Sequence, residues 1–348
     1  MTNYLNESGV PLSVAVYLAT DHYDHNPNTV SATKLLKPVR QIILPRRVPQ
    51  ELNSVDVLSM LKSRTGTSIH DGIERAWVGG HYKQAMVKLG HPQSVVDRIV
   101  VNSKELLESY GYDERSLEDL PMYTGELPKH PIPVFMEVRG YRDFMGKTIS
   151  GKFDFCGDGR LEDTKTTGVF TWIYGSKTED YQLQGSIYRW LHPKIITQDE
   201  MAIQFIFTDW KAFEAKTNKN YPPRATEQQI IPLLSLDDTE QFIANKLSVI
   251  EQFIDADEES IPRCTDSELW RKPPVYKYYR DPAAFHAGKR STKNFDTSAE
   301  AFARLQKDGN KGVVIERPGE VVACKYCSAF PVCTQKDDYL ADGSLRLD

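Results

Sequence analysis

The chain is poor in cysteine, in long apolar runs and in glycine-rich loops, and each shortage closes off a class of protein. Five cysteines among 348 residues are too few and too unevenly placed for a disulfide framework; three of them crowd near the C-terminus, which favours a metal site in an unexported chain. No apolar run approaches the roughly 18 residues of a membrane span. The opening MTNYLNESGV has neither a basic n-region nor an apolar h-region, so the expected location is the cytoplasm. A G-x-G-x-x-G fingerprint and a Walker loop are both missing, which removes dinucleotide enzymes and P-loop NTPases. Positive charge is not in excess. Lys and Arg total 43 against 48 Asp and Glu, a net −5 that argues against a generic nucleic-acid binder.

What is present reads as globular: 40% apolar and 26% charged residues, with a mean hydropathy of −0.48. The length can bury a substantial core in one to three domains. Charge is uneven, however. Residues 26–50 hold Lys34, Lys37, Arg40, Arg46 and Arg47 and no acid, so this arm either lies along phosphates or wraps the domain as a solvated segment. Just before it, DHYDHN offers Asp21, His22, Asp24 and His25. With no supporting third element, that stretch reads as a solvated turn rather than a metal site.

Periodicity predicts one helix over 54–63 and a second, after the RTG break, carrying Ile69, Ile73 and Trp77 on one stripe with His70 and Glu74 on the next. Residues 81–128 read as helical and irregular. Strands are expected over roughly 133–142, 147–156 and 160–166, then a helix EDYQLQGSIYRWLH that stops at Pro193. Two further strands follow, around 202–210 and 227–235. Asp238 and Gln241 resemble a capping box for a helix through Ile254. Beyond residue 258 come Tyr/Pro-rich strands and a short helix near 297–307. The order predicts an α/β fold with a mixed sheet, divided into a basic arm (1–50), a core (51–257) and a C-terminal lobe (258–348).

The stretch GKFDFCGDGRLEDTKTT, residues 151–167, reads as a hairpin turning at Gly157-Asp158-Gly159. Alternation puts Phe153 and Phe155 on one face and Asp154 on the other, and gives Leu161, Asp163 and Lys165 a common face. Two carboxylates and an ammonium then converge. Such a set could hold a hard divalent cation beside a lysine free to touch a phosphate or an attacking water; the plainer reading is a cross-strand salt bridge.

This hairpin, followed by YQLQGSIY and preceded by GTSIHDGIE, is similar to the nuclease domain of the RecB branch of the PD-(D/E)XK superfamily. The resemblance rests on four elements in order across residues 65–190. It implies a restriction-endonuclease-like core and a catalytic Mg²⁺ or Mn²⁺ held by His70, Asp154, Asp163 and the backbone carbonyl of Thr164. Lys165 would position the attacking water, and Gln184 and Tyr188 would touch the DNA backbone or the hairpin. Glu137 is a further candidate ligand. Glu162 departs from the apolar residue a buried strand would carry, suggesting that its face is partly open.

CKYCSAFPVC supplies Cys324, Cys327 and Cys333. Three thiolates at this spacing with one distant partner describe a four-cysteine metal site rather than a redox pair. The tail resembles that of iron–sulfur nucleases such as the AddAB helicase-nuclease B subunit and the CRISPR adaptation nucleases, whose fourth cysteine precedes the nuclease core. This chain has none there. Cys264 is the expected fourth ligand and Cys156 its competitor; the group is a [4Fe–4S] cluster, with Zn²⁺ as the alternative. The expected activity is that of a DNA exonuclease of phage or bacterial recombination and repair, partnered by DNA and by a recombination or single-strand annealing protein, with no membrane. An endonuclease on the same core, a non-cleaving DNA-binding scaffold and a thiol oxidoreductase using Cys324 and Cys327 are the rivals.

Overall fold

A computed structural model describes residues 3–20, 28–123, 125–175 and 177–347; the DHYDHN stretch lies outside them. The chain forms two units. One comprises Asn3–Leu36 and Ser54–Leu247, the other Lys37–Asn53 and Ser248–Asp348. The expected arm is therefore shared out between the units rather than forming a body of its own. The physical reason lies in two arginines. Arg40 is buried, donates to the carbonyls of Glu258 and Ile261 and pairs with the Glu258 carboxylate, while Arg47 donates to the carbonyls of Ile254 and Ala256.

The first unit is built on strands β1 (Ile99–Val101), β2 (Ile132–Met136), β3 (Arg139–Phe144), β4 (Lys147–Lys152), β5 (Phe155–Gly157), β6 (Arg160–Thr167), β7 (Glu200–Phe207) and β8 (Thr226–Pro232). Six of them form a mixed sheet in the order β8-β7-β6-β5-β2-β1. β6 runs parallel to β7 and β2 to β1; the other pairs are antiparallel. β3 and β4 pair as a hairpin in a smaller sheet with Thr29–Ser31. β1 was not expected: three fully buried residues, Ile-Val-Val, are too short a run to announce a strand.

The β5–β6 turn behaves as its residues demand. Asp158 and Gly159 both take positive φ, +51° and +74°, the signature of the two-residue turn that matches strand twist. The two strands expected before it are each interrupted, one at Glu137 and Val138 and the other at Phe153 and Asp154. The bend at Phe153-Asp154 overturns the expected facing. Phe153 is buried against His192, whereas Phe155 packs edge-on against Trp77 in a separate apolar cluster.

Helix α1 (Leu61–Val78) runs unbroken through Arg64-Thr65-Gly66, correcting the expected division. Gly66 is tolerated inside a helix, and Arg64 is tied by its Nε to the carbonyl of Leu18. Helices α2 (Val169–Tyr174) and α3 (Thr178–Leu191) follow β6. α3 seats Ile187, Tyr188 and Trp190 in the main core, and lies so close to β7 that a Cβ at Gly185 would stand 2.3 Å from Met201 Sδ. After β7 come α4 (Ala212–Thr217) and α5 (Leu236–Phe253). Ser235, not Asp238, caps α5: its Oγ accepts from the Asp238 N–H at 3.0 Å.

The second unit carries an antiparallel sheet of β9 (Val275–Tyr279), β10 (Lys293–Phe295) and β11 (Val313–Arg317), in the order β10-β9-β11, with helix α6 (Ser298–Lys307). No helix among the described residues is long and apolar enough to cross a membrane.

Candidate metal centre

The carboxyl ends of β2 and β6 lie at one edge of the sheet, because β2 and β6 each pair antiparallel with β5 between them. In open α/β sheets that edge is where ligands bind. Three groups meet there: one ligand atom each from His70, Glu137 and Asp154 lie within 4.8 Å of one another. His70 comes from α1, with Nδ1 3.2 Å from Asp154 Oδ2. Glu137 follows β2 at φ +54°, a backbone state uncommon for a non-glycine residue. Asp154 leads into β5, and its Oδ2 accepts from the Thr164 N–H at 3.0 Å. The interruptions that shorten the expected strands thus occur at the residues that supply carboxylates.

Asp163 is placed differently from its neighbours. It is 2% exposed, and its Oδ2 lies 2.6 Å from Lys165 Nζ with no other hydrogen-bond donor among the described residues. It is not one of the three groups within 4.8 Å. Lys165 also donates to Gln184 Oε1 at 3.3 Å, and Gln184 Nε2 to the Tyr188 hydroxyl at 3.0 Å. Gln184 therefore orients the lysine, and Tyr188, 5% exposed, supports Gln184 from inside the core. Gln184 thus touches the hairpin's Lys165 directly, and Tyr188 is linked to it through Gln184.

Electrostatics describe a site short of positive charge. Burial, then the Asp163 carboxylate, push Asp154 well above the usual carboxylate range. Burial pulls the Lys165 ammonium down, but Asp163 and Asp154 outweigh it and the net shift is upward. Glu74, one turn beyond His70, is raised by burial and by Glu137. A divalent cation would reverse the first of these shifts, since a bound ion inverts local carboxylate preferences. The carboxylate–imidazole donor set suits Mg²⁺ or Mn²⁺, the imidazole inclining it toward Mn²⁺. Lys152, 2.6 Å from Glu137 Oε2, and Glu74 were not assigned from sequence. The i, i+4 spacing of His70 and Glu74 was the available signal for Glu74.

Among the basic residues, Arg40 and Arg47 are occupied with their own unit's carbonyls, while Lys37 and Arg46 are exposed and Lys34 is half-buried.

In the second unit the four expected cysteines are free thiols. Cys327 and Cys333 pack beside Ile43, Leu44, Ile261 and Ala329; Cys264 and Cys324 pack beside Leu269, Val321 and Tyr339. Gln335 fixes the Cys264 loop, accepting from its N–H at 2.9 Å and donating to its carbonyl at 3.0 Å. Burial, then Glu268 and the nearby Cys333 and Cys327, push the Cys264 thiol up to about 12. Burial, then Cys327 and Cys333, push Cys324 up to about 11. Cys327 and Cys333 thus oppose the ionisation of both Cys264 and Cys324, and a bound cation would supply the missing charge. Cys156 belongs to the first unit's core, its Sγ 3.5 Å from the Ile195 carbonyl.

No family model matches the chain, and no curated protein sequence does. Among solved structures it is similar to the crystal structure of SSO0001, at 12% identity over 66% of this chain and 79% of that one, with a TM-score of 0.35. A likeness of that size carries no functional argument.

Proposed function

We propose that the chain is a metal-dependent DNA nuclease on a restriction-endonuclease-like core, acting as an exonuclease in phage or bacterial recombination and repair. The observation that carries this reading is the meeting of His70, Glu137 and Asp154 within 4.8 Å, beside the Asp163–Lys165 pair. A bound Mg²⁺ or Mn²⁺ would polarise a phosphoryl oxygen and lower the pKa of its water. His70, Glu137 and Asp154 would hold it, with Asp163 and the Thr164 carbonyl completing the set. Lys165, held charged by Asp163 and Asp154, places positive charge where a pentacovalent phosphate is most negative. Gln184 fixes its direction. That three acids, an imidazole and a charged lysine are all present favours cleavage over a binding scaffold, which has no need of the whole set.

In the second unit we assign Cys264, Cys324, Cys327 and Cys333 to a structural [4Fe–4S] cluster. Such a cluster, or a Zn²⁺ in its place, would be held by these four thiolates and would brace the C-terminal lobe.

End-labelled linear DNA and closed circular DNA, incubated with Mg²⁺ or Mn²⁺, test the activity. Loss of label from linear DNA with circles intact supports the exonuclease, and nicked circles replace it with an endonuclease. Both substrates surviving would refute the reading.

A further inference from the structure

The first unit carries an exposed aromatic pair for which packing gives no reason. Helix α2 leaves β6 directly and is pinned from beneath. Val169 is buried and its N–H donates to Asp209 Oδ1 at 2.8 Å. Trp172 packs edge-on against Phe205 and Phe207, and the hydroxyls of Thr167 and Thr171 are 2.8 Å apart. On the opposite face Phe170 and Tyr174, one turn apart, remain 65% and 70% exposed. Their rings stack on each other, centroids 5.7 Å apart and 18° from parallel. A helix held this firmly keeps both rings oriented, so the pair presents a fixed π surface to solvent.

Its position matters as much as its exposure. Thr167, the last residue of β6, follows Asp163 by four and Lys165 by two, roughly 13 Å and 7 Å along the strand. The rings therefore stand off the same carboxyl edge as the candidate metal centre. β7 runs parallel to β6 and ends opposite Thr167 at Phe207, and the segment that follows brings exposed Lys211, Phe213, Lys216 and Lys219. Phe213 is 73% exposed. Aromatic faces interleaved with lysines are the composition of a single-strand nucleic-acid groove, where bases stack on rings and ammonium groups track phosphates.

We infer that Phe170 and Tyr174 form a stacking platform for unpaired bases next to the scissile phosphate, with Lys211, Lys216 and Lys219 following the backbone. This rests on the nuclease reading for its choice of ligand. It assigns the site a substrate form, a strand already unpaired at the point of cleavage. The exposed lysines that follow β7 select a polyanion, rather than a protein or a second copy of the chain, as the occupant of this face.

Single-stranded oligonucleotides carrying 2-aminopurine at successive positions, bound in chelator so that nothing is cut, test the platform. Wild-type protein should quench the probe at one or two neighbouring positions through ring stacking. Replacing both rings, Phe170→Leu with Tyr174→Leu, should abolish that quenching and weaken binding by roughly tenfold or more, while the salt dependence set by the phosphates persists. Phe170→Trp with Tyr174→Trp should restore both. Undiminished quenching and affinity in the leucine variant overturn the platform, as does wild-type protein that binds no single strand. Self-association that the leucine variant abolishes, without position-specific quenching, would identify a second copy as the occupant and overturn it too. Quenching by a wild-type protein that cuts no DNA would sustain the platform while refuting the nuclease. Cleavage with unchanged leucine-variant binding would do the reverse.

Discussion

Lys165 Nζ stands 2.6 Å from Asp163 Oδ2, and this ion pair joins the stability of the core to the proposed chemistry. Removing the ammonium leaves a carboxylate 2% exposed without its counter-charge. Lys165→Ala should therefore lose cleavage by ~10²-fold or more and also lower metal-free stability by about 3 kcal/mol. Asp163→Ala should lose cleavage to a similar degree. Denaturant melts with and without Mn²⁺ check the coupling, since a bound cation should return part of the missing stability to Lys165→Ala. Wild-type cleavage rates in both variants would place the chemistry elsewhere.

Glu137 is contested between a cation and Lys152, whose Nζ lies 2.6 Å from its Oε2. Glu137→Gln should weaken Mn²⁺ binding by roughly tenfold or more, whereas Lys152→Met should strengthen it by removing a competing charge. Calorimetric Mn²⁺ titration of both variants beside the wild type decides the matter. Equal affinities across the three would leave Glu137 a salt-bridge residue.

His192 gives the fold a pH dependence of its own. It is 1% exposed, lies 3.2 Å from the Gly151 carbonyl through Nε2 and 2.6 Å from the Tyr112 hydroxyl through Nδ1. Burial depresses it from 6.5 to about 4. The unfolded chain thus takes up a proton near pH 6.5 that the folded chain refuses until about pH 4. Stability should fall as pH drops through that window, by about 3 kcal/mol in total. His192→Gln should be less stable at pH 7 and show a shallower fall, measured by urea titration at several pH values. Parallel profiles would mean that other groups set the acid limit.

Arg40 is expected to act on stability rather than on DNA. Its guanidinium is enclosed with the Glu258 carboxylate and two carbonyls. Arg40→Ala should destabilise the second unit by about 3–5 kcal/mol, leaving Glu258 unpaired. Neutralising the exposed Lys37 and Arg46 should weaken DNA binding and flatten its salt slope, by roughly 0.7–0.9 for each phosphate they neutralise. A fully stable Arg40→Ala protein with weakened DNA binding would return the arm to a phosphate-tracking role.

Protein purified without oxygen should be brown and contain iron. Cys264→Ser should lose colour and thermal stability together, because ligation is coupled to folding. Cys156→Ser should keep its iron, since that thiol is packed in the first unit's core. About one zinc per chain and no iron would correct the cluster to zinc, and neither metal would dismiss the site.

Local chemistry was legible in the residues themselves. Asp158-Gly159 specified its turn because few residue pairs accept two positive φ values in succession. Tyr181, Gln184 and Tyr188, spaced by three and four, share one face of α3 because a helix repeats every 3.6 residues. The order of helix, hairpin, helix and strand likewise set the mixed α/β class. Other features depended on distant partners. Alternation in 151–157 assumes a straight strand, and the bend at Phe153-Asp154 sends the two phenylalanines to different cores. A basic run looks the same whether it meets phosphates or carbonyls, and only the fold brought Glu258 and Ile261 to Arg40. Glu137 joined His70 and Asp154 because β2 ends beside the start of β5, a neighbourhood set by strand order across the sheet. Spacing along one chain carries turn and helix geometry; which carboxylates share a cation is decided by the sheet that gathers them.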